Sequence, residues 1–411
     1  ITWDDPSLGD SPDYFNVYLY DKDDELTVYL GSSTENIYLD TNNVSPLEER
    51  TYYISSVFEQ DGPDKEVPVK SIFVDSPFAG GSGTLNDPYQ IETCSQLLSI
   101  GYIIFEGPQD RTNFSYNDFV LNAEGDLSGP FLDKYYILNN DIDCSKTAIP
   151  YGEEGYDESL FINAPFITPI GMPFDQAALF TGSIDGQGYS INDFTINYFN
   201  ESGMASNPTA LFGATGGADI SNINFNNSYI NTYSEFDDIG LPSLSLSEYR
   251  IPDIYSAGTL IGVALETNVD NIHVLNGQVI GTEASGGLIG FSSSSTISNS
   301  SFIGEVESSL NAGGLIGTSE NTLVDSSFSE GSVSYIENNY FLESGMNFGG
   351  LIGYQEYNMD LLKEDDLIRN EYTGNTGVIN SYASSSVSGL GYVGGLVGAT
   401  TDSSSIVNCY T

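Results

Sequence analysis

Carboxylates are the side chains of this sequence that are best placed to do chemistry. Asp141, Asp143 and Asp185 are the strongest candidates for the paired acid and base of a glycosidase, or for a lyase site. Asp141 and Asp143 alternate to one face of an extended segment, although aspartates in such positions also stabilise turns. The chain has only four arginines with which to neutralise a uronate substrate. We therefore expect no catalytic residues and no enzyme activity.

The single histidine, His273, does not change this expectation. Nucleophilic catalysis needs a nucleophile, a base and a group that orients the base. No such set accompanies His273 in the sequence. We expect this side chain on the surface, without a catalytic role.

Dense acidic stretches near the N-terminus favour a hard cation. Asp21, Asp23 and Asp24 supply closely spaced carboxylate oxygens, which are the ligands that calcium prefers. No EF-hand spacing is present, and solvated acidic loops are the alternative interpretation. Calcium is the cofactor hypothesis that the sequence offers.

Five Asn-x-Ser sequons are also present, and such sites arise by chance in chains rich in Asn and Ser. Asn113 and Asn200 are the better candidates for glycosylation, because both lie in segments that interrupt the repeats described next. The five are Asn43, Asn113, Asn200, Asn226 and Asn299.

The elements that position these residues are repeats. Gly-Gly-Leu-Ile/Val-Gly occurs four times, with looser copies upstream, and the leucines at 260, 288 and 315 are 28 and 27 residues apart. A period in this range indicates a solenoid. The four full copies begin at Gly286, Gly313, Gly349 and Gly394.

A second signal follows each leucine in phase. An apolar residue, any residue and then Asn or Asp come 10 to 12 residues after the leucine in five copies, and 29 after it in a copy with an insertion. The six copies end at Asn222, Asn271, Asn299, Asp325, Asn380 and Asn408.

The repeat units predict short strands. They are rich in Ser, Gly, Asn and Thr, which form helices poorly, and their apolar runs are short. About 27 residues per unit suffice for one coil of three strands, with successive coils stacked roughly 4.8 Å apart in parallel. The fold class predicted is all-β, a parallel β-helix that is right-handed because parallel crossovers nearly always are.

Alternation assigns the faces of the strand after each Asn or Asp. The first and third positions are apolar or small and should point inward, as with Phe302 and Phe328, whereas the second position should point outward, as with Ser301 and Ser327. The Asn or Asp should lie at a corner and pair with the coils above and below. The paired glycines suit either positive φ or close approach of neighbouring coils.

The Gly-Leu-Ile/Val-Gly copies resemble the GLUG repeat of large secreted and surface-attached prokaryotic proteins. Segments around Gly81, Tyr136 and Phe180 are similar to the opening of such β-helix domains, so the resemblance covers roughly residues 78 to 411. It implies a scaffold used by adhesin-like proteins and as an accessory region of some peptidases. It assigns no catalytic role to the repeats.

Residues 1–76 carry no such repeat and predict short strands of a β-sandwich. Leu47 precedes Tyr53 by six residues, which resembles the tyrosine corner of fibronectin type III domains. The strand expected before Trp3 is missing. We therefore predict two domains, a fibronectin type III-like sandwich over 1–76 and the β-helix over 77–411.

The ends and interruptions of the β-helix carry further expectations. A short helix over 94–100 should cap its first coil, Cys94 and Cys144 can meet there as one disulfide, and Cys409 should be a buried thiol. The last repeat is unfinished at Thr411, which favours further sequence or a neighbouring subunit. Insertions are expected at about 102–132, 151–178, 229–256, 334–348 and 355–376, the last with an amphipathic helix over 359–368.

Charge limits the partners. The chain has 58 acidic and 10 basic residues, a net charge of −48, which opposes binding to nucleic acid and anionic membranes. No apolar run reaches the length of a membrane span. Halophilic adaptation and a calcium-rich surface layer both account for the charge.

Together these patterns predict a non-enzymatic extracellular or cell-surface structural protein, either an adhesin-like stalk or a subunit of a filament or surface assembly. Its expected partners are further copies or neighbouring subunits, and surface glycans. The alternative is a β-helix that binds or cleaves carbohydrate, with tyrosine-rich insertions forming a sugar groove. Exposed tyrosines in one continuous groove would favour the alternative.

Overall fold

A computed structural model describes the chain as an all-β protein that divides into two compact units, Ile1–Pro77 and Phe78–Thr411. Everything below concerns the described residues, which are 14–21, 26–33, 51–57, 77–101, 131–150, 152–160, 167–171, 179–198, 208–233, 255–337, 346–357, 376–401 and 404–411.

The first unit contains an antiparallel sheet of three strands, β1 (Tyr14–Asp21), β2 (Leu26–Ser33) and β3 (Thr51–Val57), in the order β2-β1-β3. A bulge interrupts the pairing of β1 with β2 between Val17 and Tyr18, and Val17 is buried. Trp3 and Leu47 lie outside the described residues. The fibronectin type III assignment therefore stays a prediction.

The second unit begins with a closed end. Strand β4 (Tyr89–Ile91) is followed by helix α1 (Cys94–Ser99), whose Thr93 side chain caps the N-terminus by accepting from the Gln96 backbone N–H. Leu97 and Leu98 of this helix are buried. The predicted short helix is confirmed.

The disulfide that the sequence left open is present. Cys94 at the start of α1 is bonded to Cys144 across 50 residues of sequence. Cys144 directly precedes a short 3-10 helix, Ser145–Ala148, and a second one covers Glu158–Leu160. The disulfide thus joins the capping helix to the next coil.

The remaining strands follow one another around the coils. In chain order they are β5 (Tyr135–Leu138), β6 (Ile142–Asp143), β7 (Ser183–Asp185), β8 (Ser190–Asn192), β9 (Thr195–Asn197), β10 (Phe212–Gly216), β11 (Asp219–Asn226), β12 (Tyr229–Asn231), β13 (Ser256–Ala257), β14 (Ile261–Leu265), β15 (Asn268–Gly281), β16 (Ala284–Gly286), β17 (Ile289–Ser293), β18 (Thr296–Ser298), β19 (Ser301–Ser308), β20 (Asn311–Gly313), β21 (Ile316–Glu320), β22 (Leu323–Asp325), β23 (Phe328–Tyr335), β24 (Asn347–Gly349), β25 (Ile352–Glu356), β26 (Gly377–Ile379), β27 (Tyr382–Ser388), β28 (Tyr392–Gly394), β29 (Val397–Thr400) and β30 (Ser405–Val407).

These strands form three parallel sheets. The strands that follow the repeated leucines make the leucine sheet, in the order β10-β14-β17-β21-β25-β29. The glycine sheet has the order β13-β16-β20-β24-β28, and the asparagine sheet has 16 strands with the central path β30-β26-β22-β18-β15-β11-β7-β5-β4. Equivalent strands of successive coils pair in parallel, which confirms the parallel β-helix.

A regular coil has four strands rather than the three that its length predicts. In one coil these are β16, β17, β18 and β19, and the last two belong to the same sheet. Asn299 lies between β18 and β19 with φ of +49°, so the asparagine sheet is folded at this residue. The extra bend explains how one sheet supplies two sides of the coil.

The predicted faces hold in most copies. Phe225, Val274 and Phe302 are buried in the core, and so are the first-position residues Ile272 and Ser300. Ser301 points outward as predicted but is only 3% exposed, because it lies between His273 and Phe328 of the adjacent coils.

The predicted corner residue is wrong by one position in one copy of the repeat. Ser326, not Asp325, has the positive φ of the corner, at +51°, and Val324 pairs with Ile297. Ser327 is consequently buried and Phe328 is a half-buried outward residue, the reverse of the prediction. A one-residue shift exchanges the two faces of a strand, which explains both errors.

The paired glycines are explained by close approach of the coils. A Cβ on Gly286 would lie 2.6 Å from the Gly317 backbone nitrogen of the next coil, and one on Gly314 would lie 2.2 Å from the Gly350 carbonyl oxygen. Neither glycine has positive φ. The first of the two expected reasons is therefore wrong for these glycines, and the second is confirmed.

We expect Gly314→Ala to lower the free energy of unfolding by at least ~1–3 kcal/mol, because the new methyl group overlaps backbone of the next coil and forces it to move. Ser384→Ala, on an exposed position of β27, is the control and should change it by less than ~0.5 kcal/mol. Chemical denaturation measures both. Equal effects of the two substitutions would contradict the close approach.

We expect the Cys94→Ser, Cys144→Ser double variant to lose up to about 4 kcal/mol of stability, the chain-entropy value for a closed loop of this length. Hydrogen exchange should show the loss concentrated in α1 and β4, since the bond joins these elements to the next coil. Cys409→Ser is the matched control, because its thiol forms no disulfide and is half-buried rather than buried as predicted. An unchanged exchange rate in α1 would show that the disulfide does not hold the cap.

Candidate functional site

The corner of the asparagine sheet carries a ladder of polar side chains, in which most neighbouring coils are joined by a side-chain hydrogen bond. Asn271 Nδ2 donates to Asn222 Oδ1 at 2.8 Å, and Asn408 Nδ2 donates to Asn380 Oδ1 at 3.2 Å. The corner residues adopt the left-handed conformation that Asn tolerates better than most residues. They have φ between +49° and +56° and are Asn222, Asn271, Asn299, Ser326, Asn380 and Asn408.

Aspartates fill the steps at which two asparagines do not meet. Asn222 Nδ2 donates to Asp185 Oδ1 at 2.9 Å, and Asn299 Nδ2 donates to Asp270 Oδ1 at 2.7 Å. Asn380 does the same with Asp325, at 3.0 Å. Each of these carboxylates therefore contacts the amide of the following coil.

A second, shorter ladder lies at the next bend. Asn227 Nδ2 donates to Asp193 Oδ1 at 3.0 Å, and Asn276 Nδ2 donates to Asn227 Oδ1 at 3.3 Å. These three residues also have positive φ. This ladder was not predicted, although Asn and Asp recur at these turns in successive coils.

The carboxylates singled out as catalytic candidates all accept hydrogen bonds from backbone N–H groups, Asp143 and Asp185 within their own turns and Asp141 from the next coil. Asp141 Oδ1 accepts the Ser190 backbone N–H at 2.8 Å, and Asp185 Oδ1 accepts that of Gln187 at 2.8 Å. Asp143 accepts the Ser145 backbone N–H at 2.9 Å, and this bond lowers the pKa of the Asp143 carboxyl. Asp143 therefore stays ionised at neutral pH and cannot serve as a general acid there.

His273 lies in an outward column of the asparagine sheet. Its Nδ1 is 2.9 Å from Ser301 Oγ and its Nε2 is 3.1 Å from Asn271 Oδ1. Both ring nitrogens thus contact neighbouring polar groups of the ladder region.

The same column continues as an aromatic stack. The ring centroids of Phe328 and Tyr382 are 4.8 Å apart, and those of Tyr382 and Tyr410 are 5.0 Å apart, with interplanar angles of 3° and 5°. Both faces of the Tyr382 ring are therefore covered. A sugar that stacks on an aromatic residue needs a free ring face, which Tyr382 does not offer.

The exposed tyrosines of the second unit do not line one groove in the described part of the chain. Tyr135 and Tyr189 lie in the first coils, whereas Tyr392 and Tyr410 lie in the last one. This distribution does not provide the continuous aromatic surface that the carbohydrate alternative requires.

Three interruptions of the solenoid leave from one corner, between the asparagine and glycine sheets. We name this the insertion corner and define it by the positions after Tyr198, Tyr233 and Glu337, from which the chain returns at 208, 255 and 346. β9, β12, β15, β19 and β23 pair in succession, which aligns these positions.

Buried aromatic side chains hold the bases of these insertions. Tyr198 and Tyr233 are buried, and their hydroxyls donate to the carbonyl oxygens of Ile167 and Glu337, the latter at 2.6 Å. Burial raises the pKa of the Tyr198 hydroxyl far above its usual range. The Tyr233–Glu337 bond joins the bases of two insertions that lie three coils apart.

Two expected insertions were too wide and one was missed. Strand β12 and the first residue of β13 lie inside the predicted insertion 229–256, and the end of β23 and the start of β24 lie inside 334–348. The segment between Tyr198 and position 208 was not predicted at all. The amphipathic helix over 359–368 lies outside the described residues.

The predicted metal and glycosylation sites also fall largely outside the described residues. Asp23, Asp24, Asn113 and Asn200 are not among them, and Asp21 is described only as the last residue of β1. Within the described ranges, no group of three His, Cys, Asp or Glu residues could hold a metal ion. Both sites remain predictions.

The net charge of −48 is weakly compensated by local contacts. Lys134 pairs with Asp133 at 2.8 Å and Lys146 with Asp157 at 3.6 Å. A hydrogen bond from the Ser159 side chain lowers the pKa of Asp157, with help from Lys146. In the described part of the chain, no helix is both long and apolar enough to cross a bilayer.

We expect the melting temperature to rise as NaCl is increased from about 0.01 M to about 1 M, because the range of charge repulsion falls from ~30 Å to ~3 Å. CaCl2 at matched ionic strength is the comparison, and calorimetry is the measurement. A further rise with calcium would support the predicted calcium site. A melting temperature independent of salt would contradict the importance of self-repulsion.

Comparisons with known proteins give a weak structural similarity. The chain matches no family model and no curated protein. Among solved structures it is similar to one titled IgA1 Protease, with 12% sequence identity and a TM-score of 0.40, over 97% of this chain and 29% of that chain.

This similarity is too small to assign a family or an activity. The GLUG and fibronectin type III resemblances therefore stay predictions. The protein in the matched structure is, by its title, an enzyme, and this contradicts our expectation that the present chain is not one. We withdraw that expectation.

Proposed function

We propose that this chain is an extracellular or cell-surface structural protein whose β-helix acts as a stiff rod in an adhesin-like stalk or surface assembly. The observation that carries the proposal is the axial asparagine ladder together with the three parallel sheets. Hydrogen bonds of the sheets and of the ladder connect each coil to the next, so the unit resists bending and stretching along its axis.

The length of the rod follows from the strand count. Nine strands follow one another along the central path of the asparagine sheet, and at ~4.8 Å between neighbours they span roughly 40 Å. Every step is bridged by backbone hydrogen bonds, and most by a side-chain bond at the corner. Extension of the rod requires these bonds to break together at a given step.

Two further observations support a location outside the cell. Disulfides such as Cys94–Cys144 form and persist in oxidising compartments. A net charge of −48 suits a hydrated, exposed surface and opposes binding to nucleic acid.

Self-association with neighbouring subunits is part of the proposal. Strands β28, β29 and β30 are the last described strands of their sheets. Large apolar side chains are exposed beside them, namely Leu390, Tyr392, Val393, Ile406, Val407 and Tyr410.

The finer architecture is also proposed. It comprises a fibronectin type III-like sandwich before a right-handed β-helix of GLUG-type repeats. The insertion corner is the face on which surface glycans or other partners would be bound, since insertions in solenoids commonly carry binding.

The proposal is tested on cells that produce the protein. Antibodies against the purified chain should label intact cells, and electron microscopy should place the label on surface structures. Label that appears only after the cells are broken would refute the surface location.

A matched pair of variants tests the assembly. Val393→Asp should abolish oligomers seen by analytical ultracentrifugation, because it places a charge on the exposed edge. Leu275→Asp is the control, since Leu275 is 46% exposed but lies in the middle of the β-helix, against 47% for Val393. A wild-type chain that stays monomeric at all concentrations would refute self-association.

A further inference from the structure

A column of buried polar side chains runs inside the β-helix along the leucine sheet. Strand pairing places Ser292, Ser319 and Gln355 at equivalent positions of successive coils. Each of the three residues is 0% exposed. Such groups are expected to have hydrogen-bond partners, because burying an unpaired one costs about 1–3 kcal/mol.

In the earlier coils the partner comes from the turn that follows the leucine sheet, one coil further on. Thr215 Oγ1 is 2.8 Å from Thr267 Oγ1, and Ser292 Oγ is 2.9 Å from Thr322 Oγ1. Where the column has alanine at 264, the turn residue Ser295 contacts the alanine carbonyl oxygen instead, at 3.4 Å. The pairing is thus a regular property of this corner.

The pattern breaks in the last coils. Ser319 Oγ, both amide atoms of Gln355 and Ser404 Oγ are buried and have no hydrogen-bond partner. Ser404 is the turn residue one coil beyond Gln355. It therefore stands to Gln355 as Thr322 stands to Ser292. Strand register therefore places these four unpaired polar atoms in three successive coils along the same corner of the interior.

We propose that this corner is a hydration site that holds at least one ordered water molecule between Ser319, Gln355 and Ser404. The four atoms comprise two hydroxyls, an amide donor and an amide acceptor, which match the donors and acceptors of water. Buried waters commonly make about three hydrogen bonds to groups of this kind.

A metal ion fits the same atoms less well. Calcium takes six to eight oxygen ligands and usually includes carboxylates among them. The proposed site offers three neutral oxygens and no carboxylate. Water is therefore the ligand that the chemistry of this corner favours.

The direct test is a crystal structure of the full chain at a resolution that shows ordered water. We expect a peak at 2.7–3.2 Å from at least two of the four atoms, and none between Ser292 and Thr322, where the hydroxyls pair directly. An empty corner, or a Gln355 side chain bonded directly to Ser319 or Ser404, would overturn the proposal. Contacts near 2.4 Å would also overturn it, because they indicate a cation.

Thermal melting of Gln355→Leu gives an independent answer without crystals. If water is bound, the variant loses its bonds to the water and leaves Ser319 and Ser404 poorly satisfied, so the melting temperature should fall by about 2 °C or more. If the corner is dry, removal of two unpaired atoms should raise the melting temperature, which would contradict the proposal. Gln355→Glu is not a substitute, because it adds a buried charge.

Discussion

In-register stacking of each coil on the next is the constraint on which the β-helix depends. Parallel pairing places every side chain over its equivalent in the neighbouring coil, at roughly the distance between strands. A residue therefore fits a given position only if its side chain can pack against, or hydrogen-bond to, the side chain at the same position of the next coil. Asparagine meets this condition because its amide donates on one side and accepts on the other. Aspartate does not, and at the main corner Asp185, Asp270 and Asp325 each accept from an asparagine of the following coil.

The sequence predicted the architecture well because the period and the corner residues are both direct consequences of stacking. It failed where residue identity and register disagreed. Asp325 has the expected residue type, but Ser326 occupies the corner and lies 11 residues after Leu315, the spacing of the regular copies. The spacing of 11 residues from leucine to corner is fixed by the length of a coil. Asn at the corner is only favoured, because it tolerates the left-handed conformation better than most residues.

The candidate site was less predictable for a different reason. The insertion corner depends on which strands pair between coils. That pairing joins residues far apart in the sequence, so local sequence patterns do not predict it. The catalytic candidates Asp141, Asp143 and Asp185 could not be separated from structural aspartates by sequence, because both kinds precede turns. In the structure each of the three accepts a hydrogen bond from a backbone N–H group. The buried hydroxyl column also leaves little trace, since serine is common throughout these repeats.

The closed first coil has a consequence for how the protein folds. In a solenoid each unit contacts only its neighbours, so order spreads along the axis from wherever it is first established. The pinning of α1 to the following coil by Cys94–Cys144 makes this end the natural nucleus. Later coils then add one at a time on a template that is already rigid. The β-helix would then fold by sequential addition of coils rather than by simultaneous collapse of the whole chain.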